Sequence, residues 1–154
     1  AQCLVGSEMC IRDSSMAGMR IGYAFGSSKL IKALNDVKFS FNSYTMNMTS
    51  IKYGVASIND KAYFDECVGK IIETREKAKG SLTKLGFTFP DSKANFIFAT
   101  HKSVPAKEIF EKLKAKKIYV RYFNQPGIDN YLRISVGTDE QMDKLIQALS
   151  DIVA

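Results

Sequence analysis

The sequence predicts an α/β protein, a mostly helical N-terminal half leading into a compact α+β unit. Three observations carry this expectation. Apolar residues recur every three or four positions between Tyr44 and Leu85, the stripe of amphipathic helices. After Pro90 short apolar runs alternate with short helical faces, as strands and helices do when they interleave. The chain then closes on a strongly signalled helix from Thr138 onward. With 154 residues, 45% apolar and 25% charged, the composition is that of a soluble globular protein and excludes disorder, collagen or a coiled coil as whole-chain readings.

Residues 1–15, AQCLVGSEMCIRDSS, show no periodicity that leads into the rest. The stretch CLVGSEMCIRDS resembles the translation of a sequencing-library adaptor, so this segment is expected to be a foreign leader, with the native chain starting near Ser15 or Met16. Arg20–Phe25 reads as a buried strand, and Gly26-Ser27-Ser28 supplies the cap of a helix whose apolar face is Leu30, Ile31, Ala33 and Leu34. A polar turn at Asn42, Ser43 and Tyr44 precedes a second helix, striped by Tyr44, Met48, Ile51, Val55 and Ile58. Phe64, Cys67, Val68, Ile71, Ile72, Ala78, Leu82 and Leu85 mark a long third helix, weakened by Gly80 and stopped at Gly86. Beyond Pro90, Asn95–Thr100 reads as a strand, Ala106, Ile109, Phe110 and Leu113 as a helical face, and Ile118–Phe123 and Tyr131–Val136 as two more strands. In the last helix Thr138 and Gln141 form a capping box, Asp139 and Glu140 suit the positive end of the dipole, and Met142, Leu145, Ile146, Leu149 and Ile152 line the apolar face.

The 22 basic residues against 16 acidic ones give a net charge of +6. The excess gathers at Lys112, Lys114, Lys116, Lys117, Arg121 and Arg133, with Asp129 the one acid in that stretch. Such a cluster reads first as a solvated face and second as an anion site. No stacking series of aromatics and no finger spacing points to nucleic acid. Cys3, Cys10 and Cys67 form no C-x-x-C pair, and His101, the sole histidine, reads as a surface loop residue beside Lys102, so neither a metal centre nor a catalytic triad is expected. No apolar run reaches the roughly 18 residues of a membrane span, and the N-terminus lacks the secretory pattern.

Three arginines could carry chemistry. Arg20 heads a short apolar run after Ala17-Gly18, and its fixed fork of donors suits a phosphate or a carboxylate; the plainer reading is a charge capping a strand end. Arg121 in IYVRYF and Arg133 in YLRISV have apolar neighbours that predict partial burial, and a buried guanidinium needs an anionic partner. If their strands are neighbours, the two converge on one dianion; otherwise they pair internally with Asp129, Glu108 or Glu111.

The segments MAGMRIGYAFG, FSFNSYTMN and YLRISVGT, in this order and separated by the long helix, resemble the C-terminal part of the histidinol-phosphate aminotransferase family, transaminases of fold type I that use pyridoxal 5'-phosphate (PLP). The resemblance runs from about Ser15 to the C-terminus. It implies a helical end of a truncated PLP-binding large domain with its linking helix over 16–86, and a small α+β domain over 87–154. It implies that Arg20 holds the PLP phosphate, that Arg133 binds the acidic end of the substrate and that Arg121 helps it. The family's Schiff-base lysine falls at Arg12 and the serine before it at Ile11. A guanidinium stays protonated and cannot replace that amine, so no catalytic residue is assigned and the isolated chain is expected to be inactive. The resemblance further implies a cytoplasmic homodimer acting on a phosphorylated amino alcohol or amino acid and on 2-oxoglutarate, with neither nucleic acid nor membrane as partner. Two rival readings stand beside it: a free-standing α+β module that binds a small anion or serves regulation, and a basic RNA-associated domain.

Overall fold

The computed structural model describes residues 16–20, 24 and 26–153. The expected leader and most of the strand expected over Arg20–Phe25 lie outside the described residues. The chain divides into two compact units, one up to Val68 and the other from Gly69. The division falls inside the long helix.

In the first unit a short 3₁₀ helix, Met16–Met19, precedes helices α1 (Ser28–Phe41) and α2 (Met48–Asn59), and α3 (Lys61–Lys84) begins here. Each start is local chemistry. The Ser27 hydroxyl accepts from Leu30 N at 3.4 Å, and Asn47 Oδ1 accepts from Ser50 N at 2.7 Å, each satisfying an amide that the helix itself cannot. Asn42 Oδ1 accepts from Tyr44 N at 3.0 Å and closes the turn between the two helices. The stripe that announces α2 is exposed at every position, Tyr44, Met48, Ile51, Val55 and Ile58 included. Helix α1 buries no residue at all, and α2 buries only Ser50.

The second unit holds the end of α3, a strand pair β1 (Phe87–Thr88) and β2 (Phe96–His101), helix α4 (Ala106–Ala115), strands β3 (Arg121–Tyr122) and β4 (Leu132–Ser135), and helix α5 (Asp139–Val153). The sheet is antiparallel throughout, in the order β1-β2-β4-β3. Strand β1 was not expected: two residues are too short to show alternation. Gly86, which ends α3, sits at φ +86, and a Cβ there would meet His101 Nε2 and Lys102 Cε at 3.1 Å. The capping box of α5 is reciprocal, Gln141 N donating to Thr138 Oγ1 at 3.3 Å and Thr138 N to Gln141 Oε1 at 3.0 Å.

Alternation builds the core. Ile97 and Ala99 of β2 and Leu132 and Ile134 of β4 point to one face, where Leu82, Phe87, Ile109, Leu113, Leu145 and Leu149 close over them. The other face receives Phe96, Phe98, Arg133 and Ser135.

His101 corrects the surface expectation. It is buried, its Nε2 lies 3.0 Å from the Leu85 carbonyl, and its Nδ1 accepts from Ser103 N at 3.3 Å and Val104 N at 3.0 Å. Two amides on Nδ1 leave the ring proton on Nε2, which donates to Leu85. The ring thus ties the end of β2 to the end of α3, a contact that local sequence does not announce.

Two buried cations were also unannounced. Arg75 donates from Nε to Glu76 Oε1 at 3.0 Å and through its guanidinium to the Ala94 carbonyl at 3.1 Å. Lys79 reaches Asp91 at 2.8 Å, Glu76 at 3.0 Å and the Ser92 carbonyl at 3.1 Å, which fastens the loop before β2 onto α3. The hydrogen bond from Lys79, helped by Lys93, lowers the Asp91 carboxyl to about 2. An unfolded aspartate titrates near about 3.9, so the folded state binds fewer protons in between. The contribution of Asp91 is therefore complete above about pH 4 and is lost as the pH falls through about 2. The thermal midpoint of the wild-type chain is expected to fall more steeply over that window than that of Asp91→Asn; parallel acid limbs in melts would show that the Lys79–Asp91 pair adds nothing.

Candidate functional site

The open face of the second unit's sheet gathers the site. Antiparallel register sets Arg121 directly opposite Arg133, and Arg133 directly opposite Phe98, in one row across β3, β4 and β2. Positions two apart share a face, so Phe123 joins Arg121, Tyr131 joins Arg133 and Phe96 joins Phe98. Phe98 stacks on Tyr131 with centroids 4.7 Å apart and planes 7° apart, and Phe123 meets Phe98 edge-on at 6.1 Å. The four rings are half-buried and the two arginines are exposed.

The structure thus brings the two arginines together, as neighbouring strands allow, but corrects their expected burial. Apolar flanks imply burial only when both faces of a sheet are covered, and here the helices cover one. The internal ion pairs considered for them are absent among the described residues, because Glu108 is taken by Lys112 at 2.8 Å and the arginines meet rings instead. Arg121 Cζ lies 5.6 Å from the Phe123 centroid, and Arg133 Cζ lies 5.5 Å from Phe96 and 6.0 Å from Phe123. Two lysines of the basic stretch face carboxylates, Lys112 with Glu108 and Lys116 with Asp151 at 2.7 Å, the latter lowering that carboxyl below its ordinary range, while Lys114 lies over the Phe110 ring. Arg121 and Arg133 thus stand side by side on an aromatic floor with no carboxylate partner among the described residues, an arrangement suited to an anion.

The aromatic floor is contained in the spacing Arg121-x-Phe123 and Tyr131-x-Arg133, but the sequence alone does not say which sheet face stays open. Nor does local sequence point to Asn130. Its Oδ1 accepts from Ala106 N at 2.9 Å and so caps α4 from a distant loop, while its Nδ2 donates to Thr100 Oγ1 at 3.2 Å.

Arg20 belongs to the first unit. It is exposed and sits at φ +56, a conformation that costs a non-glycine residue roughly 1–2 kcal/mol. The backbone just before it is anchored, because the buried Ser50 donates its hydroxyl proton to the Met19 carbonyl at 2.9 Å. Strain held by an anchored neighbour is a mark of functional positions.

Like charges directly opposed across strands repel, and salt screens that repulsion. Raising the ionic strength is therefore expected to stabilise the wild-type chain more than Arg121→Gln, by roughly 0.2–1 kcal/mol in denaturant melts. Lys107→Gln, which removes an exposed charge from α4, serves as the control. Equal salt responses of wild type and Arg121→Gln would mean that the two arginines do not feel each other.

The sequence signature of the aminotransferase class I and II family matches residues 12–149. A histidinol-phosphate aminotransferase of Brachyspira hyodysenteriae is 47% identical over 142 residues, which cover 92% of this chain and 40% of the relative. Among solved structures, the histidinol-phosphate aminotransferase from Clostridium acetobutylicum has a TM-score of 0.80 at 23% identity, over 90% of this chain and 42% of its own. The histidinol-phosphate aminotransferase from Sinorhizobium meliloti, in complex with pyridoxal-5'-phosphate, has a TM-score of 0.79 at 24% identity, over 92% of this chain and 38% of its own. These two likenesses establish the fold. This chain spans about 40% of the length of the curated relatives it matches. The matched stretch runs through both units and includes Arg20, Arg121 and Arg133, and the chain belongs to the aminotransferase class I and II family.

Proposed function

We propose that this chain is the C-terminal part of a histidinol-phosphate aminotransferase, which moves an amino group between histidinol phosphate and 2-oxoglutarate. The observation that carries this reading is the 47% identity over 142 residues to an enzyme of that name. In it, residues 16–86 are the end of the large domain and the linking helix, and 87–154 are the small domain. The apolar stripes of α1 and α2, exposed in this chain, support a place inside a larger body. The rival reading of a free-standing anion-binding module accounts for the arginines but not for a family match that extends through all three N-terminal helices. A homodimeric assembly and a cytoplasmic setting follow from the same reading.

The family's cofactor, PLP, supplies the electron sink of transamination when bound. The residues of this chain suit its phosphate alone. Arg20, exposed and following the Met19 carbonyl to which Ser50 donates, offers a guanidinium fork for that group. Position 12 holds arginine where the resemblance places the reactive lysine, so the amine is missing and no chemical step is assigned to the isolated chain. Arg133 takes the acidic end of the substrate and Arg121 assists, their charges side by side on the open sheet face. Both bind and orient; neither moves a proton.

Two outcomes are expected. Incubation of the chain with PLP followed by borohydride should leave no single lysine labelled in near-stoichiometric yield, and peptide mapping that found one would overturn the reading of Arg12. In an enzyme completed with the N-terminal part of a close relative, Arg133→Ala should lower kcat/KM roughly 30- to 1000-fold, the effect of losing ~2–4 kcal/mol of charge-assisted contact. Arg121→Ala should act in the same direction but less. A kcat/KM for Arg133→Ala within about threefold of its parent, together with lowered stability, would make Arg133 a structural residue.

A further inference from the structure

Two exposed guanidinium groups stand at directly opposed strand positions with no carboxylate partner among the described residues. Each arginine has many rotamers, and the two repel, so left to themselves they would splay apart and present no fixed fork to a ligand. One ring counters this. Phe123 lies within 5.6 Å of Arg121 Cζ and 6.0 Å of Arg133 Cζ, and it is the ring that both share. The negative face of an aromatic ring attracts a cation, and such a contact consumes none of the guanidinium N–H donors. The ring is itself supported. It meets Phe98 at 6.1 Å, Phe98 stacks on Tyr131 at 4.7 Å, and Phe96 holds Arg133 from within the same face at 5.5 Å.

We propose that Phe123 is a positioning residue for anion recognition, its ring drawing Arg121 and Arg133 together so that their forks meet on one dianion of the phosphate-monoester class. The inference rests on the proposed role of the two arginines in binding the substrate's acidic group. It adds the reason that two like charges are ready for one ligand before the ligand arrives, which is where preorganisation gains affinity. Phe123 touches the arginines and not the reacting atoms.

The test uses the full chain at low salt with inorganic phosphate as the probe, following the arginine Nε–Hε signals by NMR. Wild type should show saturable shifts of Arg121 and Arg133, and Arg133→Ala should abolish them. Phe123→Leu, similar in bulk but without a π face, should weaken phosphate roughly 3- to 30-fold, whereas Phe123→Tyr and Phe123→Trp should restore it. Thermal melts of each variant separate loss of fold from loss of positioning. No saturable shift in wild type, or unchanged binding in Arg133→Ala, would overturn the anion site and this inference with it. Phosphate binding by Phe123→Leu equal to wild type, with Arg133→Ala still defective, would overturn the role of Phe123 alone. Equal loss in Phe123→Leu and Phe123→Tyr would overturn it too, because tyrosine keeps the ring face on which the positioning depends.

Discussion

The alternation of β4 is the constraint on which the second unit depends. Leu132 and Ile134 fill the core, and this places Arg133 and Ser135 on the opposite face. A one-residue slip would expose both leucine and isoleucine and bury a guanidinium with no anion to meet it, a change that costs several kcal/mol. The register is therefore strongly specified by apolar burial alone. Given that register, β3 pairs so that Tyr122 packs on Phe110 beneath the sheet and Arg121 falls opposite Arg133 above it. The juxtaposition of two cations is thus enforced by the core and is not something the cations would choose.

How those charges are tolerated distinguishes them from Lys112 and Lys116 of the same stretch. Lys112 and Lys116 have carboxylates at 2.8 Å and 2.7 Å, and exposed pairs of this kind contribute about 0–1 kcal/mol while cancelling local potential. Arg121 and Arg133 have rings instead, which attract the cation without neutralising it. The sheet face therefore keeps its positive potential and its donors. A ring contact and an ion pair stabilise to similar extents at a surface, but only the first leaves the charge available to a ligand.

Much of this was legible in the sequence, for identifiable reasons. The helix starts at Ser27 and Thr138 and the stop at Gly86 are local, each decided by side-chain chemistry within four residues, and each stands where the pattern places it. Strands were legible as apolar runs but not in extent: Ile118–Phe123 reads as six residues, yet only Arg121 and Tyr122 pair in the ladder, because pairing depends on what β4 offers and not on the run itself. What could not be read was set by distant chain. His101 meets the Leu85 carbonyl across sixteen residues, Asn130 caps a helix that begins twenty-four residues earlier, and Lys79 fastens Asp91. The arginines fell between these cases: their alternation was written in the strands, whereas their exposure depended on which sheet face the helices cover.

The first unit shows the same division between pattern and partner from the other side. Its helices α1 and α2 start on side-chain caps at Ser27 and Asn47, and α1 adds an i,i+4 pair between Lys32 and Asp36 at 2.8 Å. Those terms are small, about 1 kcal/mol for a cap and about 0.3–0.5 kcal/mol for an exposed pair. Helices of 14 and 12 residues are marginal on such terms, since most helical stability in proteins comes from burying the apolar face. The stripe from Tyr44 to Ile58 is present in the sequence and exposed in the structure. An amphipathic period therefore states which face will be buried but not what buries it. On the proposed reading the covering surface belongs to the large domain, and the energetics of α1 and α2 are those of a domain of which they are only one edge.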